Sequence, residues 1–156
     1  MGLRPRPGNR TAHRFAASLS RRLRNAGYRF KYAGNMLTEG IKISQGIPVE
    51  IHATITFCYD YYTDSIRKIF DSMVEDLKSM GYFVRPKRNA LYWNISVWRI
   101  PAKIENINEV LPEMFAELEQ QIANGRSEEE AYKDLAGQLG LTVFQTGMLQ
   151  SCIEEQ

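Results

Sequence analysis

The stretch from Val49 to Val97 constrains the fold more than any other, because it carries three strong patterns in succession. Every second residue of 49–57 is apolar, which predicts a strand with one apolar and one polar face. Apolar residues three or four apart then predict an amphipathic helix over 63–80, with Thr63 or Asp64 as its cap and Gly81 at its end. This order predicts a helix packed on a half-solvated sheet.

The residues on either side extend this unit at both ends. Residues 82–85 and 91–98 predict two strands around a turn at 86–90, and residues 38–57 predict an earlier hairpin. Apolar spacing over 11–26, ended by Gly27, predicts an N-terminal helix. We therefore expect an α+β fold in α-β-β-α-β-β order, a two-layer arrangement in which an antiparallel sheet of about four strands carries helices on one face.

The C-terminal third is predicted to be wholly helical. Residues 106–124 form one helix, with Pro112 expected in its first turn, and capping boxes at Ser127 and Thr142 open two more. We expect a mobile basic arm at 1–10, a core domain at 11–104 and a helical appendage at 105–156. The last two helices resemble a helix-turn-helix, but the second contains no Lys or Arg, which argues against reading DNA bases.

Composition limits the remaining classes. The 156 residues suffice for one core without metal or disulfides, and no apolar run is long enough to span a membrane. Cys58 and Cys152 match no metal-ligand spacing, and we expect free thiols, no metal, no cofactor and a cytoplasmic location. His52 lies on the polar face of its predicted strand between Glu50 and Thr54, where a lone histidine is usually a surface residue. No set of acid, base and nucleophile assembles in the sequence, so we expect no enzymatic activity.

Charge is distributed unevenly along the chain. Residues 1–38 contain nine Lys and Arg and no Asp or Glu, whereas residues 105–156 contain two basic and eleven acidic residues. This asymmetry predicts different partners for the two ends, or a contact between them within the fold or across a homodimer. Arginines without acids at helical spacing favour phosphate as the partner of the basic end.

Two further features indicate nucleic acid. Residues 28–32 alternate aromatic with basic side chains, which is typical either of a short strand with its rings in the core or of a stacking surface. The polar face of the predicted sheet presents hydroxyl, amide and aromatic side chains, a platform for single-stranded RNA or DNA unless the C-terminal helices cover it. The residues expected to contact nucleic acid are Arg10, Arg14, Arg21, Arg22, Arg24, Arg29, Lys31, Arg85, Lys87, Arg88, Tyr92 and Trp98.

The sequence therefore predicts a non-enzymatic accessory protein that binds RNA or single-stranded DNA. The alternative is a protein-binding module, such as a protein of a mobile element that inhibits a nucleic-acid enzyme or a defence complex. We also expect the C-terminal helices to mediate homodimerisation or partner docking, because short helices with apolar stripes are marginal without further burial.

Overall fold

The computed structural model describes residues 14–31 and 38–155. The predicted arm at 1–10 and the first residues of the predicted N-terminal helix lie outside the described residues. The elements, in chain order, are α1 (Phe15–Asn25), β1 (Gly40–Gln45), β2 (His52–Cys58), α2 (Asp64–Ser79), β3 (Phe83–Arg88), β4 (Trp93–Trp98), α3 (Ile107–Ala123), α4 (Glu128–Leu139) and α5 (Val143–Glu154).

The four strands form one antiparallel sheet in the order β1-β2-β4-β3. Two hairpins, β1–β2 and β3–β4, are joined side by side through the central pair β2–β4. The predicted α+β class, with a four-stranded antiparallel sheet and the predicted order of elements, is confirmed.

The strand β2 begins three residues later than the alternation predicts. The amides of Ile51 and His52 both donate to the carbonyl of Pro48, so residues 49–51 form a turn instead of extending the ladder. Ile51 consequently packs on the opposite side of the sheet from Ala53. Alternation over 49–57 therefore predicted the wrong side of the sheet for Ile51, because the polarity pattern does not show this local hydrogen bonding.

The second hairpin also differs from its prediction. Pro86 lies within β3, opposite Ile95, and the connection between strands falls at 89–92. Proline is tolerated because β3 is an edge strand and the Pro86 nitrogen lies on its open side, as does the amide of Val84 two residues earlier, which donates to Asn108. Leu91, predicted to share the apolar face, is 84% exposed in that connection.

Helices α1 and α2 cover one face of the sheet, which we call the inner face. Thr63 caps α2 by accepting from the amide of Ile66, and Gly81 follows the helix with φ at +92°, both as predicted. The segment 28–31 forms no strand; Tyr28 and Phe30 pack on the inner core, and the Tyr28 hydroxyl donates to Asp76 at 2.7 Å. Its aromatic side chains are therefore core residues, and Tyr32 lies outside the described residues.

The C-terminal helices form a second core against the other, outer face. Phe83 and Trp98 project from the sheet into a cluster with Leu111, Leu139 and Leu149. Capping residues start α4 and α5 as predicted, and at Thr142 both hydrogen bonds of the capping box are present. Pro112 is the sixth residue of α3 rather than a first-turn residue, so the prediction of its position was wrong.

Candidate functional site

The first candidate surface is the basic segment of α1 and the residues that follow it. The side chains of Arg14, Arg21, Arg24, Arg29 and Lys31 are exposed there, because the apolar stripe of α1 faces the inner core. Arg22 is engaged within the fold: its guanidinium lies 5.3 Å from the centre of the Tyr82 ring and donates to the Tyr82 hydroxyl. Arg10 lies outside the described residues.

These cations have no carboxylate partners in the described ranges. Residues 14–31 contain six basic residues and no acidic one. The ion pairs found among residues 14–31 and 38–155 are Lys78–Glu75, Arg88–Asp71 and Arg126–Asp134, all outside this segment. The acidic C-terminal helices do not neutralise α1, so the predicted contact between the two ends is not made within this part of the fold.

The basic residues of the second hairpin lie apart from this segment. The start of β3 is close to α1, through the contact of Phe15 with Tyr82, whereas the connection after Arg88 is at the other end of the strand. A strand of this length spans roughly 20 Å. The structure therefore places the predicted contact residues on two surfaces.

The second surface is a groove on the outer face of the sheet. Strand register aligns three rows of outward side chains across it: Lys42, Thr56, Asn94 and Lys87; then Ser44, Thr54, Ser96 and Arg85; then His52, Trp98 and Phe83. The groove encloses about 690 Å³ between β3 and the C-terminal end of α5. We call it the outer groove; its lining residues are Ile47, His52, Thr54, Arg85, Pro86, Lys87, Arg88, Tyr92, Asn94, Ser96, Trp98, Met148, Ser151, Cys152 and Glu155.

A hydrogen-bond network holds one end of this groove rigid. His52 contacts the Ile47 carbonyl through Nδ1 at 3.0 Å and Ser96 Oγ through Nε2 at 2.5 Å. The Trp98 indole donates to Ser96 Oγ at 3.1 Å, and Cys152 Sγ lies 3.4 Å from the same oxygen. Burial lowers the pKa of His52, so the ring is neutral, with Nδ1–H donating to Ile47 and Nε2 accepting from Ser96.

Trp98 and Tyr92, both predicted to contact bases, have different environments. Trp98 is 1% exposed, stacks on His52 at 4.0 Å and donates to Cys152 Sγ, so its ring offers no face to a ligand. The expectation for Trp98 is therefore wrong: it is an anchor for α5. Tyr92, at the opposite end of the outer groove, is 41% exposed.

The hairpin cations are also engaged to different degrees. Arg85 donates to the Ile153 carbonyl at 3.0 Å, which ties α5 to the edge strand. Arg88 pairs with Asp71 and lies 4.7 Å from the centre of the Trp93 ring. Lys87 is exposed beside the groove, and it is the cation best placed to meet an external anion.

Within residues 14–31 and 38–155, no three His, Cys, Asp or Glu side chains come together as a metal ion would require. In the same ranges, no helix has both the length and the apolar character needed to cross a membrane.

The sequence did not predict Ile47 or the residues of α5 as part of the outer groove. No local pattern signals them, because their place in the site depends on where α5 docks.

No protein-family model matches this chain, and neither a curated protein nor a solved structure is significantly similar to it.

Proposed function

We propose that this protein binds nucleic acid without catalysing a reaction, and that the basic segment 14–31 makes the main phosphate contacts. The observation that carries the proposal is the row of exposed arginines without carboxylate partners in the described ranges. Unpaired cations on a folded helix repel one another, and a polyanion relieves that repulsion while it releases condensed counterions.

The geometry of α1 supports contact with phosphates rather than with base edges. Its apolar side, formed by Phe15, Leu19 and Leu23, is buried. Arg14, Arg21 and Arg24 therefore project to the opposite, exposed side, whereas Arg22 contacts Tyr82. The guanidinium fork binds pairs of phosphate oxygens, and such contacts position a protein without reading sequence. We therefore propose binding with little sequence preference through this surface.

Replacing Arg14, Arg21 and Arg29 with Gln tests the proposal. These side chains are exposed, whereas Arg22 also stabilises the fold through Tyr82 and is left unchanged. The affinity for mixed-sequence oligonucleotides, measured by fluorescence anisotropy at several salt concentrations, should fall. The slope of log K against log salt should decrease by about 2 to 3.

The matched control replaces Lys68, Lys103 and Lys133, three exposed lysines elsewhere, with Gln. It removes the same formal charge, so an equal loss in both variants would indicate a general charge effect instead of a contact surface. Unchanged affinity and salt slope in the arginine variant would contradict the proposal.

A second candidate function is favoured by one feature of the C-terminal helices. Most of their apolar side chains are buried in the second core, but Val143 and Phe144 at the start of α5 are 50% and 65% exposed. We propose these two residues as the contact for a second copy or a protein partner, as in an inhibitor. Phe144→Ser should lower the mass measured by light scattering or abolish partner capture; an unchanged monomer without a partner would exclude the contact.

A further inference from the structure

The outer groove is polarised along its length, and that polarity indicates the shape of its ligand. Tyr92 lies at the open end, in the connection two residues before Asn94, whose partner across the sheet is Lys87, while α5 closes the other end. Residues two apart in the chain are separated by at most roughly 7 Å. An aromatic ring, an amide and a cation therefore lie within the reach of one small ligand.

We infer that the outer groove accepts one nucleoside monophosphate unit, with its base on Tyr92 and its phosphate at Lys87 and Arg85. If the unit belongs to a bound nucleic-acid strand, the inference rests on the proposed function. If the ligand is a free nucleotide, the inference is independent of that function. The shared chemistry is a planar heterocycle joined through a sugar to a phosphate.

The phosphate end is defined by charge. Two basic residues of β3, Arg85 and Lys87, line the groove from the outer face of the sheet. Arg88 also borders the groove, but its guanidinium pairs with Asp71 of α2 on the inner face. One acidic residue, Glu155, lies on the α5 side. His52 is neutral because burial lowers its pKa, so it neither adds to nor offsets this charge. An anion is therefore attracted to the β3 edge, where Lys87 is exposed, and is repelled by the carboxylate of Glu155.

The ring end is defined by Tyr92 and Asn94. The half-exposed tyrosine ring offers a face for base stacking, which is tolerant of base identity. The partly buried side-chain amide of Asn94, two residues further along the chain, can both donate to and accept from the edge of a base. An acidic peptide would satisfy the cations but would leave this ring and amide unused, which favours a nucleotide.

The floor of the groove in the row of Arg85 is polar and fixed. Thr54 and Ser96 lie opposite each other in one row, and Ser96 is held by His52 and Trp98. The hydroxyl of Thr54 faces the groove, where it can meet a sugar hydroxyl. Since the floor is formed by central strands, it requires no rearrangement to receive the ligand.

Titrating the full chain with the four nucleoside monophosphates, with adenosine and with inorganic phosphate tests this assignment by NMR chemical shifts. The Lys87→Gln variant should bind a monophosphate and phosphate at least about threefold more weakly, with adenosine unchanged. The Tyr92→Ser variant should bind a monophosphate and adenosine about tenfold more weakly, with phosphate unchanged. Lys68→Gln and Tyr61→Ser, on exposed positions elsewhere, should match the wild type.

An absence of monophosphate binding to the folded wild-type chain would overturn the inference, as would equal affinities in the wild type and both groove variants. Competition by a single-stranded oligonucleotide would identify the ligand as one unit of a strand, and binding without competition would identify a free nucleotide.

The variant in which Arg14, Arg21 and Arg29 are replaced with Gln separates the two proposals. If it keeps full oligonucleotide affinity while the groove variants lose monophosphate binding, only the proposed role of the basic segment fails.

Discussion

At the residue scale, Lys42 is the least expected feature of the sheet. It lies on the outer face in the row of Thr56 and Asn94, is 2% exposed, and its Nζ has no hydrogen-bond partner among the described residues. Removing an ammonium group from water without a partner is costly. We therefore expect Lys42→Met, which keeps the length of the side chain, to increase the free energy of unfolding by about 1 to 3 kcal/mol.

Urea unfolding monitored by circular dichroism measures this gain. Lys42→Gln keeps a buried polar group and should gain less, and Lys87→Met at an exposed position should change stability by less than about 0.5 kcal/mol. A destabilised Lys42→Met protein would show that the ammonium has a stabilising partner.

His52 should make stability depend on pH. Burial lowers its pKa in the folded protein below the value of the unfolded chain, so the unfolded state takes up the proton first as pH falls. The contribution of neutral His52 to the free energy of unfolding is complete above the pKa that His52 has in the unfolded chain. It is lost as the pH falls towards the lower pKa of the folded protein. Protonation would also require Nε2 to donate, which breaks its acceptance from Ser96.

Urea unfolding of the wild type and of the His52→Gln variant, at several pH values from about pH 8 to about pH 5, tests this dependence. The free energy of unfolding should fall more steeply with acidification in the wild type than in the variant. All other residues are the same in the two proteins, so the difference between their pH profiles reports on His52. Parallel pH profiles of the wild type and the variant would show that the fold does not disfavour the protonated form of His52.

At the element scale, Asn108 joins α3 to the start of β3. Its Oδ1 accepts from the amide of Val84 and its Nδ2 donates to the carbonyl of Tyr82, both at 2.8 Å. Tyr82 comes just before the edge strand β3, and Val84 is its second residue. The Asn108 side chain therefore supplies the hydrogen bonds that a neighbouring strand would make if β3 were not at the edge of the sheet. The packing of α3 on the sheet thus depends on one polar side chain as well as on Leu111 and Phe115.

Asn108→Ala should lower the free energy of unfolding by about 1 to 3 kcal/mol, because it leaves both partly buried backbone groups without partners. Asn124→Ala, at the exposed end of the same helix, serves as the control and should change stability by less than about 0.5 kcal/mol. Chemical denaturation measures both, and equal stability of the two variants would contradict this role of Asn108.

At the scale of the whole molecule, the two cores share one sheet. Trp93 belongs to the inner core and Trp98 to the second core, yet they lie on the same strand. Arg85 and Trp98 connect β3 and β4 directly to α5. We therefore expect residues 14–104 and 105–155 to unfold together, although the sequence suggests a core with a separable helical appendage.

The chain contains two tryptophans, so each core can be observed alone. In Trp98→Phe the fluorescence reports the inner core, and in Trp93→Phe it reports the second core. Within each variant, fluorescence and far-ultraviolet circular dichroism should give coincident transitions. Separate transitions for the fluorescence of Trp98 and the overall helix signal would show that the C-terminal helices unfold independently.

Local chemistry was enough to predict most elements of this fold. The bounds of α2 were predicted within one residue at each end, because the apolar stripe, the Thr63 cap and Gly81 all belong to the same short segment. The starts of α4 and α5 followed from their capping residues for the same reason. The inward-facing residues of β2 and β4 were likewise predicted by alternation wherever those strands form.

Only the tertiary structure decided which polar-face residues remain accessible. Trp98 and Tyr92 are both on the outer face of the same part of the chain, but α5 docks over Trp98 and leaves Tyr92 exposed. Periodicity reports the face on which a side chain lies. It cannot report what covers that face when the covering element comes from more than 50 residues away in the chain, as Cys152 does for Trp98.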